Sequence, residues 1–175
     1  VKTMNWETGS GRYELEQYYT AYAHKSWSTC KVKFTTYLAG EVSTSFACGI
    51  REIMKQYSSF QKGGIVISFG KNVEIRAADE DIGDKGLFLD FEGIALVVKD
   101  IYKPEYINTK KHGGNHVFKI PVTPDRSFEY MIFGGWNEGA VNNNEEDFKA
   151  DVLAEAQKYN NPLQVKLFNL EEKKK

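Results

Sequence analysis

The sequence predicts a mostly β protein, an antiparallel β-sandwich with one helix near its C-terminus. Three observations carry this. Apolar and polar residues alternate over many short segments, as in strands wetted on one face. Turn signals rich in Gly, Pro, Asn and Asp recur at close intervals. One late window shows three-to-four apolar spacing, so strands dominate and a helix closes the chain.

From Arg12 to Ala23, Tyr13, Leu15, Tyr19 and Ala21 share one parity, and Arg12, Glu14 and Glu16 the other; this predicts a strand. Cys30, Val32, Phe34, Thr36 and Leu38 alternate with Lys31, Lys33, Thr35 and Tyr37. The link His24-Lys25-Ser26-Trp27 is short enough for a hairpin. A third strand runs near Ser45 to Ile53, with Phe46, Cys48 and Ile50 on one face. Gly63-Gly64 turns the chain into the buried strand Ile65 to Phe69. A turn at Gly70-Lys71-Asn72 precedes the alternation of Val73, Ile75 and Ala77. Leu87 to Phe91 and Ile94 to Val98 read as two short strands around Glu92-Gly93. Val117 to Val122 and Ser127 to Phe133 follow, parted by the turn signal at residues 121–125. Glu145 to Tyr159 then sets Phe148, Val152, Ala156 and Tyr159 on one helical stripe. Asn144 is placed to cap it, and Glu145-Glu146-Asp147 suit the positive end of the helix dipole. Asn160-Asn161-Pro162 stops it. Leu163, Val165 and Leu167 alternate as a last strand. Residues 1–170 read as one sandwich domain, and 171–175 as a charged tail.

Composition limits the function classes. The chain has 175 residues, 23 Lys+Arg and 24 Asp+Glu, for a formal net charge of -1. Nucleic acid and anionic membrane as main partners call for a basic surplus, so neither is predicted. No apolar run approaches the roughly 20 residues of a membrane span. Aromatics at 14% argue against disorder. Cys30 and Cys48 are too few for a disulfide-dense scaffold or a four-cysteine zinc site; they pair or stay free. Gly-x-Ser-x-Gly, dinucleotide, phosphate-loop and Cys-x-x-Cys patterns are absent, which disfavours the corresponding enzyme classes. No cofactor is predicted.

Four segments in order carry a resemblance. They are Thr44-Ser45-Phe46-Ala47-Cys48-Gly49-Ile50-Arg51, Gly93-Ile94-Ala95-Leu96-Val97-Val98, Phe133-Gly134-Gly135-Trp136-Asn137 and Asn161-Pro162-Leu163-Gln164-Val165. Over roughly residues 12 to 168 the chain resembles the C-terminal half of the domain of unknown function 4861 family. The resemblance implies a large, super-sandwich-like β protein, secreted or periplasmic, in the polysaccharide utilisation of glycan-degrading bacteria. Family members are about twice as long, which implies a further N-terminal half or a partner chain. No catalytic residue is carried over.

Candidate chemistry lies in five places. Histidine exchanges protons near neutral pH, so Lys110-Lys111-His112-Gly113-Gly114-Asn115-His116 offers His112 and His116 as acid–base groups and Asn115 as a ligand contact. Gly113-Gly114 makes a helix improbable, so the paired histidines are no zinc helix, and no metal is assigned. The competing reading is a solvated turn, or a His116 that simply hydrogen-bonds at a strand start. Gly134-Gly135-Trp136-Asn137-Glu138 offers Trp136 as a flat face for a sugar, Asn137 for its hydroxyls and Glu138 as an acid or base; otherwise Trp136 plugs the core. Tyr18, Tyr22, His24 and Trp27 around the first hairpin make an aromatic row, a glycan surface or part of a core. Arg51 suits a uronate carboxylate, or else pairs with Glu52 or faces water. The acidic loop Asp79–Asp84 departs from the calcium-binding EF-hand pattern and reads as an irregular calcium site or a solvated turn. The expected partner is thus an oligosaccharide or polysaccharide. Glycan processing by lyase, dehydratase or hydrolase chemistry stands beside a carbohydrate-binding module and a purely structural sandwich.

Overall fold

A computed structural model describes residues 1–9, 11–40, 44–53, 55–74, 87–110 and 114–165. Ten strands are seen: β1 (Lys2–Thr8), β2 (Gly11–Ala21), β3 (Trp27–Ala39), β4 (Ser45–Arg51), β5 (Lys55–Lys62), β6 (Ile65–Glu74), β7 (Leu87–Val98), β8 (Glu105–Asn108), β9 (Asn115–Pro121) and β10 (Ser127–Trp136). The helix α1 is Glu145–Asn160, and a short 3-10 turn covers Asp100–Tyr102. One sheet of seven strands has the order β1-β2-β3-β10-β7-β6-β5, and a second of three has the order β4-β9-β8. Every strand pair is antiparallel. The protein is therefore mostly β, with its helix near the C-terminus.

Period-two alternation explains the layers. In the central strands both parities are apolar, because both faces of the large sheet are covered. Val66, Leu96, Val98, Phe128 and Tyr130 point one way and meet Phe46, Cys48, Phe118 and Ile120 of the small sheet. Ile67, Phe69, Ala95, Val97, Met131 and Phe133 point the other way and meet Phe148, Val152 and Ala156 of α1. The apolar stripe expected on α1 is thus the one that packs. Its Asn144 cap accepts a hydrogen bond from the Asp147 amide at 3.0 Å. Each fully buried Phe, Leu, Ile or Val contributes roughly 1.5–3 kcal/mol.

Several sequence expectations are corrected. The chain does not turn at Gly70-Lys71-Asn72: β6 runs through, with a register shift between Gly70 and Asn72. β7 is one strand through Glu92-Gly93, and β10 continues past Gly134-Gly135 to Trp136. The glycines answer to packing rather than to turning. A Cβ on Gly70 would stand 2.8 Å from the Ile53 Cβ, and one on Gly93 would stand 2.8 Å from the Phe148 ring. Leu163 and Val165 form no strand and are exposed, for no sheet edge pairs with them among the described residues. Leu167, the residue 171–175 tail and the acidic loop at 79–84 lie outside the described residues. Tyr18 and Tyr22 are exposed, so they do not form a core row. Cys30 and Cys48 are free thiols, both buried between the sheets.

Candidate functional site

The hairpin link and the end of β10 form one cleft. β3 starts at Trp27, whose register partner is Phe133. Beyond that pair β10 continues to Trp136 along β7, and the Gly134 amide donates to the Ser26 carbonyl of the link at 3.0 Å. The link is anchored from behind by α1. Ser26 donates to Asp151 at 2.9 Å, Asn142 donates to both Ser26 and Asp151, and Lys25 Nζ meets Glu155 Oε1 at 3.0 Å. Glu155 also takes Lys158 at 3.0 Å, and these contacts hold its carboxyl below the usual range against the opposing effect of its own burial. His24 sits at the tip with φ 59°, a left-handed conformation that non-glycine residues seldom adopt.

The resulting cleft holds about 720 Å³ and is lined by His24, Lys25, Trp27, Gly134, Trp136 and Val141 among others. Trp136 is 49% exposed. A Cβ on Gly134, two residues back on the same face, would meet nothing within 4 Å, so the floor beside the indole is open. Trp27 lies deeper, 4.6 Å from the Tyr22 ring and 6.2 Å from that of Phe133. Its Nε1 is buried with no hydrogen-bond partner, and such a donor costs free energy until something accepts from it. Tyr22 is exposed but tied through its hydroxyl to Thr29 at 3.2 Å. Asn137 exchanges two hydrogen bonds with Phe91, at 3.1 Å and 3.4 Å, and donates to Glu138 at 2.8 Å. It fastens the loop after β10 to β7. Glu138 is exposed at the rim.

A second constellation lies between the sheets. His116 on β9 shares the inward parity of Phe118 and Ile120 and is fully buried. Gln56 orders it. Ser68 accepts from the Ile53 amide at 3.3 Å and donates to Gln56 Oε1. That oxygen then accepts from His116 Nε2 at 3.0 Å. The neutral imidazole is left with Nδ1 as its acceptor, and the Tyr106 hydroxyl lies 2.6 Å from it. Glu52 Oε1 stands 3.8 Å from Nε2 and accepts from Asn108 at 3.3 Å. Burial holds the imidazole below its ordinary pKa, and the Glu52 carboxylate opposes this only in part. A neutral base thus backs a tyrosine hydroxyl.

The structure brings together Tyr22, His24, Trp27 and Trp136 in the cleft, with Asn137 and Glu138 at its edge. His116 stands apart from them, its partners being Tyr106, Gln56 and Glu52. Arg51 and Asn115 are cross-strand partners on the opposite parity to His116, on the face of the small sheet turned away from the core. Arg51 is exposed there. His112 lies outside the described residues. Sequence reasoning missed Tyr106, Gln56 and Ser68, and took Glu52 only as a neighbour of Arg51. The available signal was parity: His116 alternates in step with Phe118 and Ile120, which marks it as inward-facing.

Among the described residues no cluster of three metal-ligating side chains occurs, and no helix is long and apolar enough to cross a membrane. A family model, Domain of unknown function (DUF4861), matches residues 1–165. The chain belongs to this family. All ten strands and the helix of this DUF4861 chain fall inside the match, β1 included, which the sequence resemblance had left out. No curated protein and no solved structure matches it.

Proposed function

We propose that this DUF4861 chain engages glycans in the cleft between the first hairpin and the end of β10. One observation carries the reading. Trp136 presents a half-exposed indole beside the open floor at Gly134, with His24 and Lys25 on the lining. Such a flat apolar face flanked by polar groups suits a sugar ring, which has an apolar face and a hydroxyl rim. The reading carries with it a secreted or periplasmic setting and a role in polysaccharide utilisation, both drawn from the family resemblance. Calorimetry against a panel of neutral and acidic oligosaccharides tests it. Binding is expected, and Trp136→Ala weakens it at least about tenfold, or about 1.4 kcal/mol. A panel that gives no heat, or a variant that binds as the parent does, removes the proposal.

A second, catalytic reading is favoured by the 2.6 Å contact of Tyr106 with a neutral, buried His116. A tyrosine with a base behind it can pass a proton to or from a sugar bound beside the small sheet, a position apart from the cleft of the first reading, as elimination chemistry requires. Product analysis on the calorimetry samples separates binding from turnover. With Tyr106→Phe, turnover falls by roughly 10²-fold or more while binding stays within about twofold. Equal turnover by the variant ends the catalytic reading and leaves the binding one standing.

A further inference from the structure

A second pocket opens at the other end of the sandwich, between the β1–β2 edge of the large sheet and β4 of the small one. It encloses about 300 Å³. Its walls are aromatic. Phe34 and Phe46 stack at 4.6 Å with their planes 6° apart, and Phe128 continues the stack at 5.2 Å from Phe46. Tyr13 stands edge-on to Phe34 at 6.2 Å. Cys48 lies in the floor, and Gln17 and Ser45 belong to the polar part of the lining. Among the described residues, no Asp, Glu, Lys, Arg or His lines it.

The mouth is shaped by backbone irregularities on both neighbouring strands. β1 slips register between Thr3 and Trp6, and β2 slips between Glu14 and Leu15. Asn5 takes φ 53°, and Arg12 Nη2 holds its side-chain oxygen at 2.5 Å. Bulges of this kind re-aim side chains, and strained non-glycine residues persist where their surroundings hold them. Here Trp6 is turned to within 5.9 Å of Tyr13, over the pocket, while remaining 46% exposed. The pocket is therefore half-open, bounded by parallel and perpendicular rings, and without formal charge among its described lining residues. Burial pushes the Cys48 thiol up to about 12, so the floor stays neutral as well. A charged guest would be desolvated there with no counter-charge from the described lining residues. A planar guest would complete the offset and edge-to-face ring contacts that aromatic groups prefer.

We propose that this pocket is a binding site for a small, uncharged, planar aromatic molecule of one or two rings. It is distinct from the glycan cleft and does not depend on that reading. The test uses 2-naphthol as the probe, with 2-naphthoate as its charged counterpart and cyclohexanol as a non-planar one. Calorimetry on the full chain is expected to give one saturable site for 2-naphthol, with both counterparts at least about tenfold weaker. Cys48→Leu fills the floor and is expected to weaken 2-naphthol at least about tenfold without lowering Tm. Energy transfer from tryptophan to the bound naphthol gives a second readout on a surface variant that leaves the core intact: Trp6→Phe is expected to lose most of it. Three results overturn the proposal. They are no saturable site, equal affinity for 2-naphthoate, or energy transfer undiminished in Trp6→Phe. Should Cys48→Leu fail to fold, the charge comparison and the Trp6→Phe readout decide alone.

Discussion

His116 shows how one buried side chain ties stability to pH. Its imidazole is held below the ordinary value chiefly by burial, with the Glu52 carboxylate pulling the other way. The folded protein therefore takes up that proton less readily than the unfolded chain, whose histidine titrates near 6.5. Stability from this group is present above about pH 6.5 and is lost as pH falls through the lower folded value. A melting series from pH 7.5 to pH 5 should show Tm declining in acid. His116→Gln should flatten that decline, because glutamine keeps some of the polar contacts and does not titrate. At pH 7.5 the variant should be less stable by about 2 kcal/mol, since the Tyr106 hydroxyl loses a buried acceptor. Parallel curves for parent and variant would show that other groups govern the acid limb.

At the scale of elements, the helix and the large sheet meet through missing side chains. A Cβ on Gly135 would stand 2.7 Å from the Phe148 ring and 2.9 Å from the Asn142 carbonyl. Gly135→Ala should therefore push α1 off β10 and cost about 1–3 kcal/mol, read as a fall in urea midpoint. Gly134→Ala, next to it but facing open space, should cost less than half as much. Equal losses at the two positions would refute the packing account. The same glycines explain where sequence reading failed. Composition treats glycine as a turn signal, whereas at Gly70, Gly93 and Gly135 it admits a neighbour's side chain from another layer, which only the assembled fold reveals. The three unforeseen strands, β1, β5 and β8, are all sheet edges. An edge strand needs no strong alternation, and Lys-Gln-Tyr-Ser-Ser-Phe-Gln-Lys in β5 has little. The central strands, the hairpin at His24-Lys25-Ser26 and the α1 stripe were legible because burial on a definite face imposes a period. Of the site, Trp136 and His24 were legible as aromatic and titratable residues beside turns. Tyr106 and Gln56 were not, because only the pairing of β8 with β9 and the fold of β5 over β6 bring them to His116.

The whole molecule is three layers, and its two thiols sit in one of the two seams. Cys30 comes from the large sheet and Cys48 from the small one, and both belong to the core that joins them. The sequence left their pairing open; the structure has them free. Thiol reagents attack the thiolate, so reactivity requires both access and ionisation. Cys48 lacks the second, its thiol being pushed up to about 12 first by burial and then by Cys30 nearby. Cys30 is wholly buried and lacks the first. Neither thiol should react in native buffer on the timescale of minutes, and both should react in urea. The informative comparison is with α1, which covers the opposite face of the large sheet. If the layers unfold as one unit, the labelling midpoints of Cys30 and Cys48 should coincide with the loss of helical circular dichroism within error. If the three-stranded sheet parts from the large one on its own, labelling should precede helix loss at lower urea. Coincidence is expected, because the large sheet is shared by both seams and its central strands β7 and β10 contribute residues to each. Opening one seam would wet Val98 and Tyr130 while Val97 and Met131, one residue along the same strands, stayed dry. That leaves little room for a stable half-open state, and early labelling would show that the strands do not couple the two cores.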